Sequence, residues 1–296
     1  MPHISINGAE IYYQDSAPEQ DNLPITQRKP VLLFAHGLLW GTHLYDKQVD
    51  YFKHDYRCIA FDFRGQGKSQ VTKVGYDMDT LADDAIALLE TLEIKKCHLI
   101  GLSMGGFVAQ RVALKRPDLL QSLILLDTSA QEESTDKKAD YEKLLTAIKW
   151  VGIKQVSKKV MPIMFGKTFL NDKSRKKDYK TWLGYLNQNN KKGAIRATRG
   201  VIERDEVLSR LHEIDLPTLV VVGDEDNATP YPKAQKIHFA IKGSKFAVIK
   251  GSGHSTPVEQ PELLNEVLEE FLQGIDSRVE QNCFKRRKTD IKNNTH

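Results

Sequence analysis

The sequence predicts an α/β protein built on a doubly wound, mostly parallel sheet. Three observations carry that reading. Short apolar runs recur along the chain, each bounded by Gly, Pro or Asp. Helical patterns lie between the runs, and the residues with chemical potential follow them directly, where strand C-termini open a site in such sheets.

The elements follow in order. His3 to Gln14 alternates apolar and polar residues around Asn7-Gly8, which predicts a hairpin with a tight turn. Val31 to Phe34 is the first continuous run and stops at His36-Gly37. Cys58 to Phe61, Cys97 to Ile100 and Leu123 to Leu126 follow, stopping at Asp62, Gly101 and Asp127. Leu219 to Val222 and Phe246 to Ile249 complete the set. Unbroken runs of this length fit strands buried on both faces.

Between them, Leu81, Ala85, Leu88, Leu89 and Leu92 recur at helical spacing, and Thr80 with Asp83 reads as a capping box. Gly106 to Leu114 is rich in helix formers and is closed by Lys115-Arg116-Pro117. Leu264, Val267, Leu268, Phe271 and Leu272 share one face of a last helix.

Residues 131–212 break the alternation. They are Lys-rich and helical in pattern, with Trp150 and Trp182 among the apolar positions. The expected organisation is therefore a core from 1–130 and 213–275 and an inserted helical cap, or lid, from 131–212. A polar basic tail from 276–296 is expected to be disordered.

Composition excludes several classes. Apolar residues make up 40% and charged residues 28%, as in an ordinary soluble protein. No apolar stretch approaches the roughly 18 residues of a membrane span. The first residues lack both a basic start and an apolar run, so no secretory signal is expected. Cys58, Cys97 and Cys283 form no disulfide or zinc pattern, and the two in apolar runs read as small core residues. A cytoplasmic location is expected.

The net charge of +4 does not suggest nucleic-acid binding, but its distribution is uneven. Residues 131–210 hold 19 Lys/Arg against 10 Asp/Glu, and the stretch from Ile275 onward holds 6 against 3. An acidic body thus carries a basic insert and a basic tail. The cluster Lys285-Arg286-Arg287-Lys288 reads as a solubilising segment rather than a nucleic-acid patch. Neither a nucleic-acid nor a membrane partner is expected, and the sequence is silent on oligomeric state.

Gly101-Leu102-Ser103-Met104-Gly105-Gly106 stands directly between a strand run and a helix pattern. A sharp turn there needs small residues two positions away on either side, and it lifts the Ser103 hydroxyl above the sheet edge. It also sets the Met104 N–H at a helix N-terminus, where donors and dipole favour negative charge. A serine hydroxyl needs a base. His254, in the Gly-Ser-Gly-His-Ser loop after the last strand run, is the best-placed histidine. His98 reads as a core histidine, and His43, His54 and His238 as surface positions.

The base needs an acidic orienter. The loop after the fifth run offers Asp224, Glu225 and Asp226. Asp226 lies deepest and is favoured, with Asp224 and Asp127 as alternatives. His36-Gly37-Leu38 bends after the first central strand, so the Leu38 and Met104 amides form the expected oxyanion pair. Leu38, Leu39 and Trp40 are expected to add apolar surface beside it. No cofactor and no metal are expected.

Together these motifs resemble the α/β-hydrolase superfamily. The chain order Ser103, Asp226, His254 is the order that family uses, and Asp62-Phe63-Arg64-Gly65-Gln66-Gly67-Lys68-Ser69 resembles its D-x-R-G-x-G-x-S turn. The resemblance covers about residues 10–274. It is nearest to 3-oxoadipate enol-lactonases, cofactor-free haloperoxidases and small carboxylesterases, through the Gly-Leu-Ser-Met-Gly-Gly elbow and the stretch from Ala194-Ile195-Arg196 to Arg204-Asp205. Ser103 departs from the aspartate nucleophile of haloalkane dehalogenases and epoxide hydrolases. Leu102 stands where C–C bond hydrolases often have Asn.

The resemblance implies an α/β-hydrolase fold with an inserted lid and a small-molecule ester or lactone as substrate. C–C bond hydrolysis, haloperoxidase or perhydrolase chemistry, and a ligand-binding receptor with a slow triad remain alternatives. A lactonase acting on an acidic substrate, steered by the basic insert, is a further variant.

Overall fold

The structure is a computed structural model that describes residues 2–24 and 27–275. The basic tail of 276–296, with Cys283, lies outside the described residues.

β1 (His3–Ile6) and β2 (Ala9–Asp15) form the expected hairpin. Asn7 and Gly8, both at positive φ, make the turn. That pair of dihedrals matches the twist of two joined strands. β3 (Val31–Ala35), β4 (Arg57–Phe61), β5 (Cys97–Leu102), β6 (Leu120–Leu126), β7 (Thr218–Gly223) and β8 (Lys245–Ile249) follow. The eight strands lie in the order β1-β2-β4-β3-β5-β6-β7-β8. β1 and β2 pair antiparallel, as do β2 and β4, and all later pairs are parallel.

β3, β4, β5 and β7 are buried along their whole length, which is why their sequences are continuous apolar runs. Cys58 and Cys97 are buried within β4 and β5. The sixth run departs from the expectation. β8 is the edge of the sheet among the described residues, and Val248 is 40% exposed, because no described strand pairs beyond it.

Helices pack on both faces. α1 (Asp46–Phe52), α2 (Met78–Thr91) and α3 (Met104–Lys115) follow β3, β4 and β5. The cap of α2 is a correction. Asp77, not the Thr80–Asp83 pair, closes the helix by accepting the Thr80 amide at 2.8 Å. Its buried face carries Leu81, Ala85, Leu88 and Leu89, as the spacing predicts. α9 (Tyr231–Ala240) joins β7 to β8, and α10 (Thr256–Glu259) precedes α11, which runs over residues 261–275.

Between β6 and β7 lie α4 (Thr135–Val151), α5 (Ile153–Met164), α6 (Lys167–Asn171), α7 (Lys176–Gln188) and α8 (Lys191–Ile202). Two apolar positions behave differently there. Trp182 packs edge-on against Trp40, whereas Trp150 is 78% exposed at the end of α4.

The chain turns one way from β3 to β4 and the other way from β3 to β5. This reversal opens a crevice at the C-terminal ends of β3 and β5. His36-Gly37-Leu38 and Ser103 follow those two strands, so the topology alone brings them together.

Candidate active site

Ser103 sits between β5 and α3 with φ 53° and ψ −113°. A serine in this region is strained and persists only where its surroundings hold it. The Ser103 amide donates to Leu126 O at 2.9 Å, and Ser103 O accepts from Thr128 Oγ1 at 2.7 Å. The flanking glycines are required by close approach. A Cβ on Gly101 would lie 2.4 Å from Gly105 O, and one on Gly105 would lie 2.1 Å from Ala35 O.

His254 reaches this hydroxyl from the loop after β8. Its Nε2 stands 2.8 Å from Ser103 Oγ, and its Nδ1 stands 2.9 Å from Asp226 Oδ2. Asp226 also accepts the amides of Ala228 and Thr229, at 2.8 and 2.9 Å, and the Thr229 hydroxyl at 2.8 Å. Burial opposes both charges. Each nevertheless favours the other, holding the Asp226 carboxyl below its usual range and the His254 imidazole above its own.

The two alternative carboxylates are occupied elsewhere. Asp224 accepts the Gly251 amide at 2.7 Å. Asp127 is fully buried and accepts the Gly223 amide at 2.8 Å and the Thr256 hydroxyl at 2.5 Å. Burial, and then the Asp226 charge, push its carboxyl up to about 7.

The turn after β3 is fastened from the Asp62–Ser69 element. Gln66 Oε1 accepts the Leu39 amide at 2.7 Å, and the Trp40 amide donates to Gly37 O at 3.2 Å. Among the described residues, these contacts leave the Leu38 amide between them unengaged. Asp62 holds the same element by accepting the Thr42 and Lys68 amides at 2.6 and 2.7 Å. Met104 opens α3, so its amide is one of the four that a helix N-terminus leaves without an internal acceptor. Leu38 and Leu39 line the cavity over Ser103. Trp40 does not, since its ring turns into the cap against Trp182 and Phe165.

The other histidines divide between expectation and correction. His98 is buried on Ser122, with Nδ1 2.8 Å from Oγ. His36 bonds Gly37 O and accepts the Phe63 amide, and burial takes it down to about 4. His43 is not a surface position. It stacks on Tyr185 beside Trp182, and burial lowers it to about 3.

Three groups that matter here were not legible in the sequence. Gln66 fixes the turn beside Ser103, Thr229 braces Asp226, and Glu259 accepts the amides of Gly253 and Ser255. Each acts through backbone amides or a neighbour distant in sequence, so only an unexplained polar residue close to the motif would have marked it. Glu259 Oε2 also accepts the Gly166 amide, and Glu225 takes the amide and hydroxyl of Thr168. The start of α6 is thereby fastened to the loops that carry Asp226 and His254. Among the described residues, no group of three His, Cys, Asp or Glu side chains is arranged to hold a metal ion. No described helix is long and apolar enough to cross a membrane.

Residues 30–261 match the family model described as the alpha/beta hydrolase fold. The chain is 27% identical over 242 residues to 3-oxoadipate enol-lactonase 2 of Acinetobacter baylyi, covering 81% of this chain and 88% of that protein. It is 26% identical over 249 residues to the putative non-heme bromoperoxidase BpoC of Mycobacterium tuberculosis, covering 81% and 90%. Among solved structures, a thermophilic esterase from Thermogutta terrifontis superposes with a TM-score of 0.83. That pair is 26% identical and covers 93% of this chain and 99% of the esterase. With a matched model spanning most of the chain on this sheet, the chain belongs to the α/β-hydrolase fold family.

Proposed function

We propose that this protein is a serine hydrolase that cleaves a carboxylic ester or lactone through an acyl-enzyme. The observation that carries the reading is the continuous relay from Ser103 Oγ through His254 to Asp226, at 2.8 and 2.9 Å. The esterase and enol-lactonase among its relatives support the class of bond.

In this reading His254 Nε2 takes the Ser103 proton as Oγ adds to the carbonyl carbon. The resulting oxyanion accepts hydrogen bonds from the Leu38 and Met104 amides, each worth roughly 3–4 kcal/mol in the transition state. His254 then returns the proton to the departing alkoxide. A water, deprotonated by the same nitrogen, adds to the acyl carbon and releases the acid and Ser103. Asp226 keeps the imidazole in the tautomer with the proton on Nδ1 and stabilises the imidazolium.

The test is steady-state hydrolysis of p-nitrophenyl esters from acetate to decanoate, with Ser103→Ala as control. Turnover on short esters that the substitution abolishes is the expected result. Absence of Ser103-dependent turnover on every ester would reject the reading.

A further inference from the structure

The cavity over Ser103 and His254 has a volume of about 40 Å³, which is room for roughly three water molecules. Leu38, Phe107, Val160, Met164 and Val201 supply its apolar lining. Across the cap, Tyr141, Leu144, Val160, Ile163 and Ala228 are shared with an open groove of about 390 Å³ between α4 and α5. The acyl group must stay on Ser103 after the alcohol leaves. A small cavity suits the group that stays, and the open groove suits the group that enters and departs.

Beyond Ser103, His254 and Thr229, the lining carries three further polar residues, Glu133, Tyr141 and Thr198. Glu133 is 6% exposed, and although burial opposes its charge, Arg204 and Lys233 hold the carboxyl below its usual range. Arg204 Nη1 stands 3.2 Å from Glu133 Oε2, across the two ends of the cap insert. That ion pair explains why Glu133 is charged and buried. It does not explain the two hydroxyls that line the same cavity. Thr198 is 1% exposed, and its Oγ1 has no hydrogen-bond partner among the described residues. Burial, and then the Glu133 charge, push the Tyr141 hydroxyl up to about 12, so it remains a donor.

A buried hydroxyl without a partner costs on the order of 1–3 kcal/mol, and a pocket of apolar walls with a few convergent polar groups is how ligand orientation is set. The carboxylate accepts only, whereas Tyr141 and Thr198 both donate and accept. A ligand group that satisfies all three must donate to Glu133 and accept from a hydroxyl. A carboxylate cannot donate, and it would face Glu133 with like charge. An alkyl chain leaves the buried Thr198 hydroxyl unpaired.

We propose that this cavity takes a short acyl group carrying a hydroxyl substituent, which Glu133, Thr198 and Tyr141 recognise. The proposal rests on the serine-hydrolase reading and names its acyl specificity.

Three p-nitrophenyl esters of similar size separate the cases: butyrate, 3-hydroxybutyrate and hemisuccinate. Each is assayed with the full chain and with the Thr198→Val and Tyr141→Phe variants. A site built to bond a substrate hydroxyl rejects the analogue lacking it, so kcat/KM for 3-hydroxybutyrate is expected to exceed that for butyrate by about tenfold or more, with hemisuccinate lowest. In either variant the ratio of 3-hydroxybutyrate to butyrate falls toward one. Because the ratio is taken within one preparation, it does not depend on how much of the variant is folded. Equal or faster hydrolysis of butyrate or hemisuccinate overturns the proposal, as does a ratio that both substitutions leave unchanged. Acetate turnover that depends on Ser103 but shows no hydroxyl preference would sink this inference alone. Absence of turnover on acetate as well would sink the serine-hydrolase reading with it.

Discussion

Glu259 lies astride His254. Its Oε2 accepts the amide of Gly253 at 2.9 Å and its Oε1 accepts that of Ser255 at 3.0 Å, so one buried carboxylate grips the backbone on both sides of the imidazole. The same Oε2 takes the Gly166 amide at 2.8 Å, which ties the cap to this loop.

Glu259→Gln replaces one acceptor oxygen with a donor that opposes an amide N–H. A small misplacement of a catalytic group is costly, so kcat is expected to fall about 10–100-fold with KM little changed. The Glu259 charge also favours protonated His254, so the acid limb of kcat/KM should move to lower pH. A profile identical to wild type would reduce Glu259 to a loop anchor.

The two buried aspartates should separate cleanly. Asp226→Asn is expected to lower kcat by about 10⁴, because an amide neither holds the imidazole in the Nδ1–H tautomer nor stabilises the imidazolium as the carboxylate does. Asp127→Asn keeps an oxygen for the Gly223 amide and should lower kcat by no more than about tenfold. Parallel kinetics on both variants decide the matter, and the reverse order would make Asp127 the orienter.

The pH dependence has a definite sign. In the proposed mechanism His254 must be neutral to act as base, and Asp226 holds its pKa above the ordinary 6.5, so the acid limb of kcat/KM should lie above that value. Asp127 works on stability instead. Its folded pKa of about 7 exceeds the ordinary 3.8, so the native state holds the proton more tightly. Stability from this group is therefore full below about 3.8 and is lost as pH rises toward about 7. Thermal melts across that range should show a smaller loss for Asp127→Asn than for wild type.

Arg64 and Asp84 are 4% and 2% exposed and meet at 2.6 Å, holding the turn that presents Gln66. Arg64→Met leaves a buried carboxylate without its partner and should destabilise the fold by about 3–5 kcal/mol. Adding Asp84→Leu should recover part of that loss. Urea unfolding of the two single variants and the double variant measures it, and additive losses would contradict the pairing.

Two glycines predict opposite outcomes. Gly105→Ala drives a Cβ against the Ala35 carbonyl and should yield little folded protein. At Gly184, inside α7, a Cβ would meet no atom within 4 Å. Gly184→Ala should therefore stabilise by about 0.5–1 kcal/mol through helix propensity. Expression yield and melting temperature report both results.

The sequence by itself determined the sheet and the sharp turn that carries Ser103. Runs such as Val31–Phe34 and Leu219–Val222 have a single stable fate, burial on both faces, and the glycines around Ser103 mark a turn that no bulkier residue permits. Those are local constraints, so residues a few positions apart express them. Only the tertiary structure decided which acid faces His254. Asp127, Asp224 and Asp226 all end strands or lie in the following loops, and their separate hydrogen bonds to Gly223, Gly251 and His254 depend on how distant loops meet. The start of α2, the stacking of His43 on Tyr185, the exposure of Trp150 and the turn of Trp40 into the cap were not legible for the same reason. Periodicity states that a side chain is apolar or polar, whereas its partner is set by elements that fold back from far along the chain.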